Sequence, residues 1–277
     1  MSPHDRREDV TPRCPVSPLH GVPRFLFVKE GARFFRCPSC GTYVNDCEYS
    51  SETYAAAGPR EGSGETGDTI LARRRFRWET ILADIERVMP APATLLDVGA
   101  GNGGFVRLAR DLGYEAEGLT MSAREVEFAR SEFGVEVALG TLDGFARRGY
   151  DVVCANSVIE HVPDPGGLLR QMADRVRPGG CVAVTTPNTD SYERFVLGAR
   201  RWRMIRPEHL STFSPRGLRE LFAAEGLEPV RHVTSSTALK GLGRLGPLKP
   251  VVRSLFFHAI RFARVGGDQT LVARRPS

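Results

Sequence analysis

Leu95-Leu96-Asp97-Val98-Gly99-Ala100-Gly101-Asn102-Gly103-Gly104-Phe105 is the stretch on which the fold turns. A short apolar strand, residues 94–98, runs into glycines at 99, 101, 103 and 104. Helical spacing follows, with Phe105, Val106, Leu108 and Ala109 on one face. Glycine lets a backbone turn sharply and approach a ligand where a β-carbon would clash. Strand, glycine turn and helix N-terminus together make a nucleotide-type site at the edge of a parallel sheet.

Two patterns compete for this turn. Gly99-x-Gly101-x-x-Gly104 fits the dinucleotide fingerprint formally, but that fingerprint also needs an acid about twenty positions on, and none closes the second strand. Asp97, two residues before the first glycine, discriminates better. The string resembles the first motif of class I S-adenosylmethionine (SAM) methyltransferases, (D/E)-x-G-x-G-x-G. That resemblance implies a seven-stranded Rossmann-like α/β sheet with helices on both faces. It also implies that Asp97, Gly99 and Gly101 line the methionine end of the cofactor.

Beyond the turn, strand and helix signals alternate. Strands are expected at 115–122, 135–140, 150–156, 181–186, 227–234 and 269–273, and helices at 69–89, 123–133, 165–176 and 215–225. In the resembled family the seventh strand inserts antiparallel. Residues 118–122 read Gly-Leu-Thr-Met-Ser, so Thr120, beside Met121, stands where an acid normally grips the ribose. A similar string occurs in cyclopropane-forming SAM enzymes. The resemblance places Leu142 and Asp143 at the adenine, although Asp143 equally suits a helix cap, and Asn156 where the fourth strand opens to the cofactor.

Glu160-His161-Val162-Pro163-Asp164-Pro165 is similar to the E-H-V/L-x-D-P signature of ubiquinone-biosynthesis-type O-methyltransferases. It puts His161 beside the methyl group, as a catalytic candidate or a loop-packing histidine. Some relatives hold a divalent ion here with extra carboxylates, but position 157 is serine, so no catalytic metal is expected. His209-Leu210-Ser211-Thr212-Phe213-Ser214 resembles their H-L-x-x-F-S segment. His209 is the candidate general base, since a neutral imidazole suits deprotonation of an acceptor. Arg194, Arg200, Arg201, Arg203 and Arg206 cluster nearby and would suit an acidic acceptor or plain solvation.

The first fifty residues differ. Cys37-Pro38-Ser39-Cys40-Gly41 is a rubredoxin-like knuckle, and residues 24–36 read as a hairpin turning near Glu30-Gly31. Zinc in a closed structural site takes four ligands. Cys14 supplies a third, but Ser17 replaces the expected partner, leaving His20, Cys47 or no fourth ligand. Many bacterial SAM methyltransferases carry a similar ribbon, so a structural zinc at Cys14, His20, Cys37 and Cys40 is expected. The division expected is a zinc-ribbon-like module at 1–50, a flexible linker and cover helix at 51–93, and the catalytic domain at 94–277. A basic amphipathic helix at 251–263, in an insertion spanning 236–267, suits a lid over an apolar acceptor, a membrane-surface contact or a homodimer element.

At 277 residues and 41% hydrophobic content the chain can bury one full α/β core plus an appendage. No apolar run approaches a membrane span, no leader pattern is visible, and six cysteines without one suit a reducing, cytoplasmic setting. A net charge of +5 spread over the chain favours no nucleic-acid partner. The expectation is a SAM-dependent methyltransferase acting on an oxygen of a small molecule, with RNA methylation or a non-catalytic SAM-binding scaffold as alternatives.

Overall fold

The computed structural model describes residues 11–58, 64–236 and 263–277. The helix expected at 251–263 lies outside them except for its last residue. At the N-terminus, β1 (Arg24–Lys29), β2 (Ala32–Arg36) and β3 (Tyr43–Asn45) form the antiparallel ribbon. Glu30 and Gly31, both at positive φ, close the first hairpin as expected. After a short helical turn, α1 (Ser51–Ala55), comes the cover helix α2 (Gly67–Glu86), unbroken and started by a Thr66–Thr69 capping box.

The catalytic sheet alternates as the sequence patterning requires. β4 (Thr94–Val98), α3 (Gly104–Asp111), β5 (Glu115–Thr120), α4 (Ala123–Phe128), β6 (Val137–Leu139), β7 (Tyr150–Asn156), α5 (Pro165–Arg175) and β8 (Val176–Pro187) follow in turn. The helix expected over 123–133 changes to a π-helical turn at Ala129–Phe133. α6 (Tyr192–Leu197), a two-residue β9 (Ser211–Thr212), α7 (Pro215–Ala224), β10 (Glu228–Ser235) and β11 (Asp268–Arg274) complete the chain. The seven-stranded sheet has the order β10-β11-β8-β7-β4-β5-β6, with β11 antiparallel to both neighbours. This is the seven-stranded Rossmann-like sheet expected, with one antiparallel strand inserted.

Helices cover both faces. Ile81, Leu82 and Ile85 of α2 pack with Phe105 and Val106 of α3 on one side. On the other, Leu169 and Met172 of α5 pack with Leu218, Leu221 and Phe222 of α7, and the ribbon cysteines Cys14, Cys37 and Cys40 join this cluster. The ribbon sheet has four strands, not three: β3 pairs with β9, so that Tyr43 faces Thr212 and Val44 faces Ser211. The stretch after the ribbon is also docked rather than loose. Tyr54 meets His161 edge-on at 5.4 Å between ring centres, and the Ser122 hydroxyl donates to the Ala57 carbonyl at 2.6 Å. Among the described residues no helix is long and apolar enough to cross a membrane.

Candidate active site

The carboxyl ends of β4 and β7 open into a cavity of about 680 Å³, the size of a small-molecule site. Asp97, Gly99, Gly101 and Asn156 line it together with Glu160, His161, His209 and Arg206. The glycine turn forms as its sequence demands. Gly99 and Gly101 sit at φ +72° and +55°, where a side chain is strained. A β-carbon at 99 would also stand 2.5 Å from the Val158 side chain.

Asp97 is fully buried, and its Oδ1 accepts from Asn156 Nδ2 at 3.1 Å and from the Cys154 thiol at 3.5 Å. Burial pushes its carboxyl up to about 7, against the opposing pull of those two donors. The register explains the arrangement: Asp97 on β4 stands opposite Cys154 on β7.

Thr120 is buried at the end of β5, and its hydroxyl donates to Glu125 Oε2 at 2.6 Å. A β-carbon at Gly101 would lie 3.4 Å from Glu125 Oε1. A carboxylate therefore lines the cavity beside Thr120 and the glycine turn, supplied by α4 rather than by β5. Glu125 was missed in the sequence; the Ser122-x-x-Glu125 spacing that opens α4 was the available signal. Burial raises its carboxyl, while the Thr120 hydrogen bond and the nearby Arg74 lower it. Thr120, Met121, Leu142 and Asp143 are not among the residues that line the cavity, Thr120 reaching it only through Glu125. Met121 Sδ accepts from the Tyr49 hydroxyl at 3.7 Å, Leu142 is buried in the core, and Asp143 is exposed.

The two histidines come together, with ring centres 4.8 Å apart in an edge-on contact. His209 Nδ1 lies 2.7 Å from the Met204 carbonyl, and His161 Nδ1 lies 2.8 Å from the Glu208 carbonyl. A carbonyl only accepts, so in both rings Nδ1 carries the proton and Nε2 is left as acceptor. Burial, aided by the neighbouring His161, pushes His209 down to about 4. Glu160 is wholly buried, takes a 2.9 Å hydrogen bond from the Thr186 hydroxyl, and is raised by its burial. These three side chains bring ligand atoms within 4.8 Å of one another, a grouping that could also chelate a divalent ion.

The expected arginine cluster splits. Arg206 reaches the cavity, but Arg200 and Arg201 border a separate groove beside Phe27 and Lys29, and Arg194 lies over the Phe195 ring. Arg73, Arg74 and Arg77 of α2 line the cavity instead, with Arg77 bonded to Asp268 and to the Ser157 hydroxyl.

Some distance away, Cys14, His20, Cys37 and Cys40 converge, each offering a ligand atom within 4.8 Å of the others. Cys47 packs instead against the ribbon core around Trp202. His20 Nδ1 faces the cysteine sulfurs at 3.3 and 3.7 Å, while its Nε2 faces Glu220 of α7 at 3.4 Å. The hydrogen bond between Cys14 and Cys40 raises the first thiol and lowers the second, to about 5. Three sulfurs and one nitrogen suit a closed tetrahedral site, with Glu220 orienting the imidazole from behind.

A family profile described as a methyltransferase domain matches residues 71–232. A ubiquinone biosynthesis O-methyltransferase of Serratia proteamaculans (strain 568) is 38% identical over 116 residues, covering 38% of this chain and 48% of that protein. Its counterpart in Cereibacter sphaeroides (strain ATCC 17025 / ATH 2.4.3) is 30% identical over 170 residues, covering 55% and 69%. The chain spans about half the length of the first two such relatives, 48% and 51%. A solved SAM-dependent methyltransferase from Thermotoga maritima superposes with a TM-score of 0.53 at 18% identity, over 75% of this chain and 93% of that one. One from Archaeoglobus fulgidus gives 0.51 at 20% identity, over 74% and 99%.

Proposed function

The chain belongs to the methyltransferase-domain family, and on that premise we propose that it methylates a hydroxyl of a small molecule with SAM as donor. One observation carries the reading: the Asp97 glycine turn and the Glu160–His161–His209 group line one and the same cavity. The cavity lining suits the cofactor. Gly101 leaves space at the turn beside a carboxylate, and the buried Asp97 carboxylate suits an ammonium group. Asp97 and Asn156 would hold the methionine end, and Glu125 with Thr120 the ribose hydroxyls. When bound, SAM supplies a methyl carbon open to in-line displacement from its sulfonium.

The chain's own residues position and deprotonate. His209, its ring fixed by the Met204 carbonyl, takes the acceptor hydroxyl proton on Nε2 as the new oxygen–carbon bond forms and the sulfur–carbon bond breaks. His161 packs edge-on against that ring and fixes its face. The curated relatives are named O-methyltransferases, which supports a hydroxyl acceptor; the arginines at the mouth suit an acidic one. The knuckle would hold one structural zinc. Metal analysis of the purified protein is expected to find about one zinc per chain, and Cys37→Ser to lose it; a metal-free, fully folded protein removes this part of the reading.

Calorimetric titration with S-adenosylhomocysteine (SAH), followed by methyl transfer from labelled SAM to phenolic and aliphatic hydroxyl acceptors, tests the whole. Saturable binding and label on oxygen are expected; no SAH binding by folded protein overturns it. Glu125→Gln keeps shape and removes charge, so SAH should bind about tenfold more weakly, the worth of one charge-assisted hydrogen bond. Unchanged affinity takes Glu125 out of the ribose site.

The pH dependences of binding and turnover should separate. Asp97 offers its charge only after losing the proton that burial holds to about 7, so SAH affinity falls up to tenfold per unit below that. His209, neutral down to about 4, keeps accepting protons through the same range. The acid limb of kcat/KM for SAM should thus lie above that of kcat at saturating SAM; coincident limbs would contradict the assignment.

A further inference from the structure

Residues 199–212 carry His209 and have little regular structure of their own, only a short helical turn at Ala199–Arg201 and the two residues of β9. Buried carbonyls need partners, and a loop of this length must find them elsewhere. Here the ribbon supplies them. Lys29 Nζ donates to the carbonyls of Trp202 at 3.2 Å and Ile205 at 2.6 Å. Asn45 Nδ2 donates to those of Pro207 at 3.1 Å and His209 at 2.8 Å, and its backbone N–H to that of Leu210 at 3.2 Å. Cys47 N–H donates to Asn45 Oδ1 at 2.9 Å, which fixes Nδ2 as the atom facing the loop. Trp202, fully buried, sits in a core shared with Ala32, Phe34 and Tyr43.

The knuckle lies directly upstream of these contacts. Cys40 is three residues before Tyr43, the first residue of the strand that pairs with β9, and the Cys40 carbonyl accepts from the Ser214 hydroxyl just beyond the loop. We propose that the N-terminal ribbon, held by the metal at Cys14, His20, Cys37 and Cys40, is the scaffold of the catalytic loop, with Asn45 as the positioning residue for His209. This rests on the zinc and general-base readings above. The cofactor half is independent of it, because Asp97, the glycine turn and Glu125 are carried by β4, α4 and their connections.

The test uses the full chain labelled with 5-fluorotryptophan, whose two resonances report Trp78 in the cofactor half and Trp202 in the ribbon core. A second signal is the His209 Nδ1–H proton, downfield when held on the Met204 carbonyl and assigned by its loss in His209→Gln. Zinc is stripped with 1,10-phenanthroline, and Asn45→Asp is studied with its zinc in place. That variant keeps the acceptor for Cys47 N–H and removes the donor to the loop.

In both arms the Trp202 resonance should shift and the His209 proton should vanish. Trypsin should cut after Arg200, Arg201 and Arg203 at least tenfold faster, while the Trp78 resonance holds and SAH affinity changes less than threefold. Asn45→Gln, which retains a donor, should restore part of the signal. An unmoved Trp202 and His209 after zinc removal overturns the role of the metal, and after Asn45→Asp that of Asn45. Joint loss of Trp78, Trp202 and SAH binding also overturns the proposal, since the ribbon would then hold up the whole fold. Protein that is purified without zinc defeats the zinc reading, and the Asn45→Asp arm alone then decides the scaffold. A His209→Ala turnover equal to wild type defeats the base reading and leaves both structural arms intact.

Discussion

Asp97→Asn should weaken SAH binding at least a hundredfold at pH 8, with the fold intact. The carboxylate is fully buried, and its hydrogen bonds with Cys154 and Asn156 aim it within the sheet. The asparagine fits the same space and keeps an oxygen for Asn156, so packing is preserved. What disappears is the negative charge facing the ligand's ammonium group. In a site screened from water a charge-assisted hydrogen bond is worth about 1.5–3 kcal/mol, and loss of an ionic partner more, or one to two decades or beyond in affinity. Burial raises the Asp97 carboxyl, so ionising it at pH 8 costs folding free energy that a neutral amide avoids. Calorimetry should therefore show lost affinity beside a melting temperature that holds or rises. Affinity within threefold of wild type would sink the cofactor assignment.

The second large effect is at His209. His209→Asn places an amide nitrogen where Nδ1 now donates to the Met204 carbonyl, and removes the Nε2 acceptor. Loop position should survive and proton acceptance should not. General-base catalysis contributes about 10²–10⁴-fold, so kcat with a responsive hydroxyl acceptor should fall by that order while SAH affinity stays within about twofold. Unchanged kcat would assign the proton to His161 or to solvent. A parallel loss of SAH affinity would make His209 a part of the cofactor wall instead.

Much of this was legible because it is local. Asp97, the glycines and the apolar periodicities around them constrain the backbone within a few residues, and α5 and α7 begin at the expected Pro165 and Pro215, while α2 begins at Gly67, two residues before the expected start. His209 and His161 were readable as motifs, and the structure puts them in contact. Cys47 and His20 could not be ranked as ligands from spacing, since the choice depends on how the hairpin packs on α7. Thr120 illustrates the same limit. Its position lacks the acid of the resembled motif, yet a carboxylate does reach it, from Glu125 in the first turn of the next helix, beside the glycine turn.

The sequence by itself determined the strand–turn–helix at residues 94–111, the alternation that follows and the identity of the chemistry-bearing residues, because each depends on short-range backbone and burial preferences. Only the tertiary structure decided which of them share a site. Glu125 reaches the cavity beside Thr120, α2 rather than the arginine-rich loop supplies most of its basic lining, and Asn45 meets the carbonyl of His209 across 164 residues of chain. Such convergence is set by how α2, α4, α7 and the ribbon pack on the sheet, which the residues' own sequence neighbours do not fix.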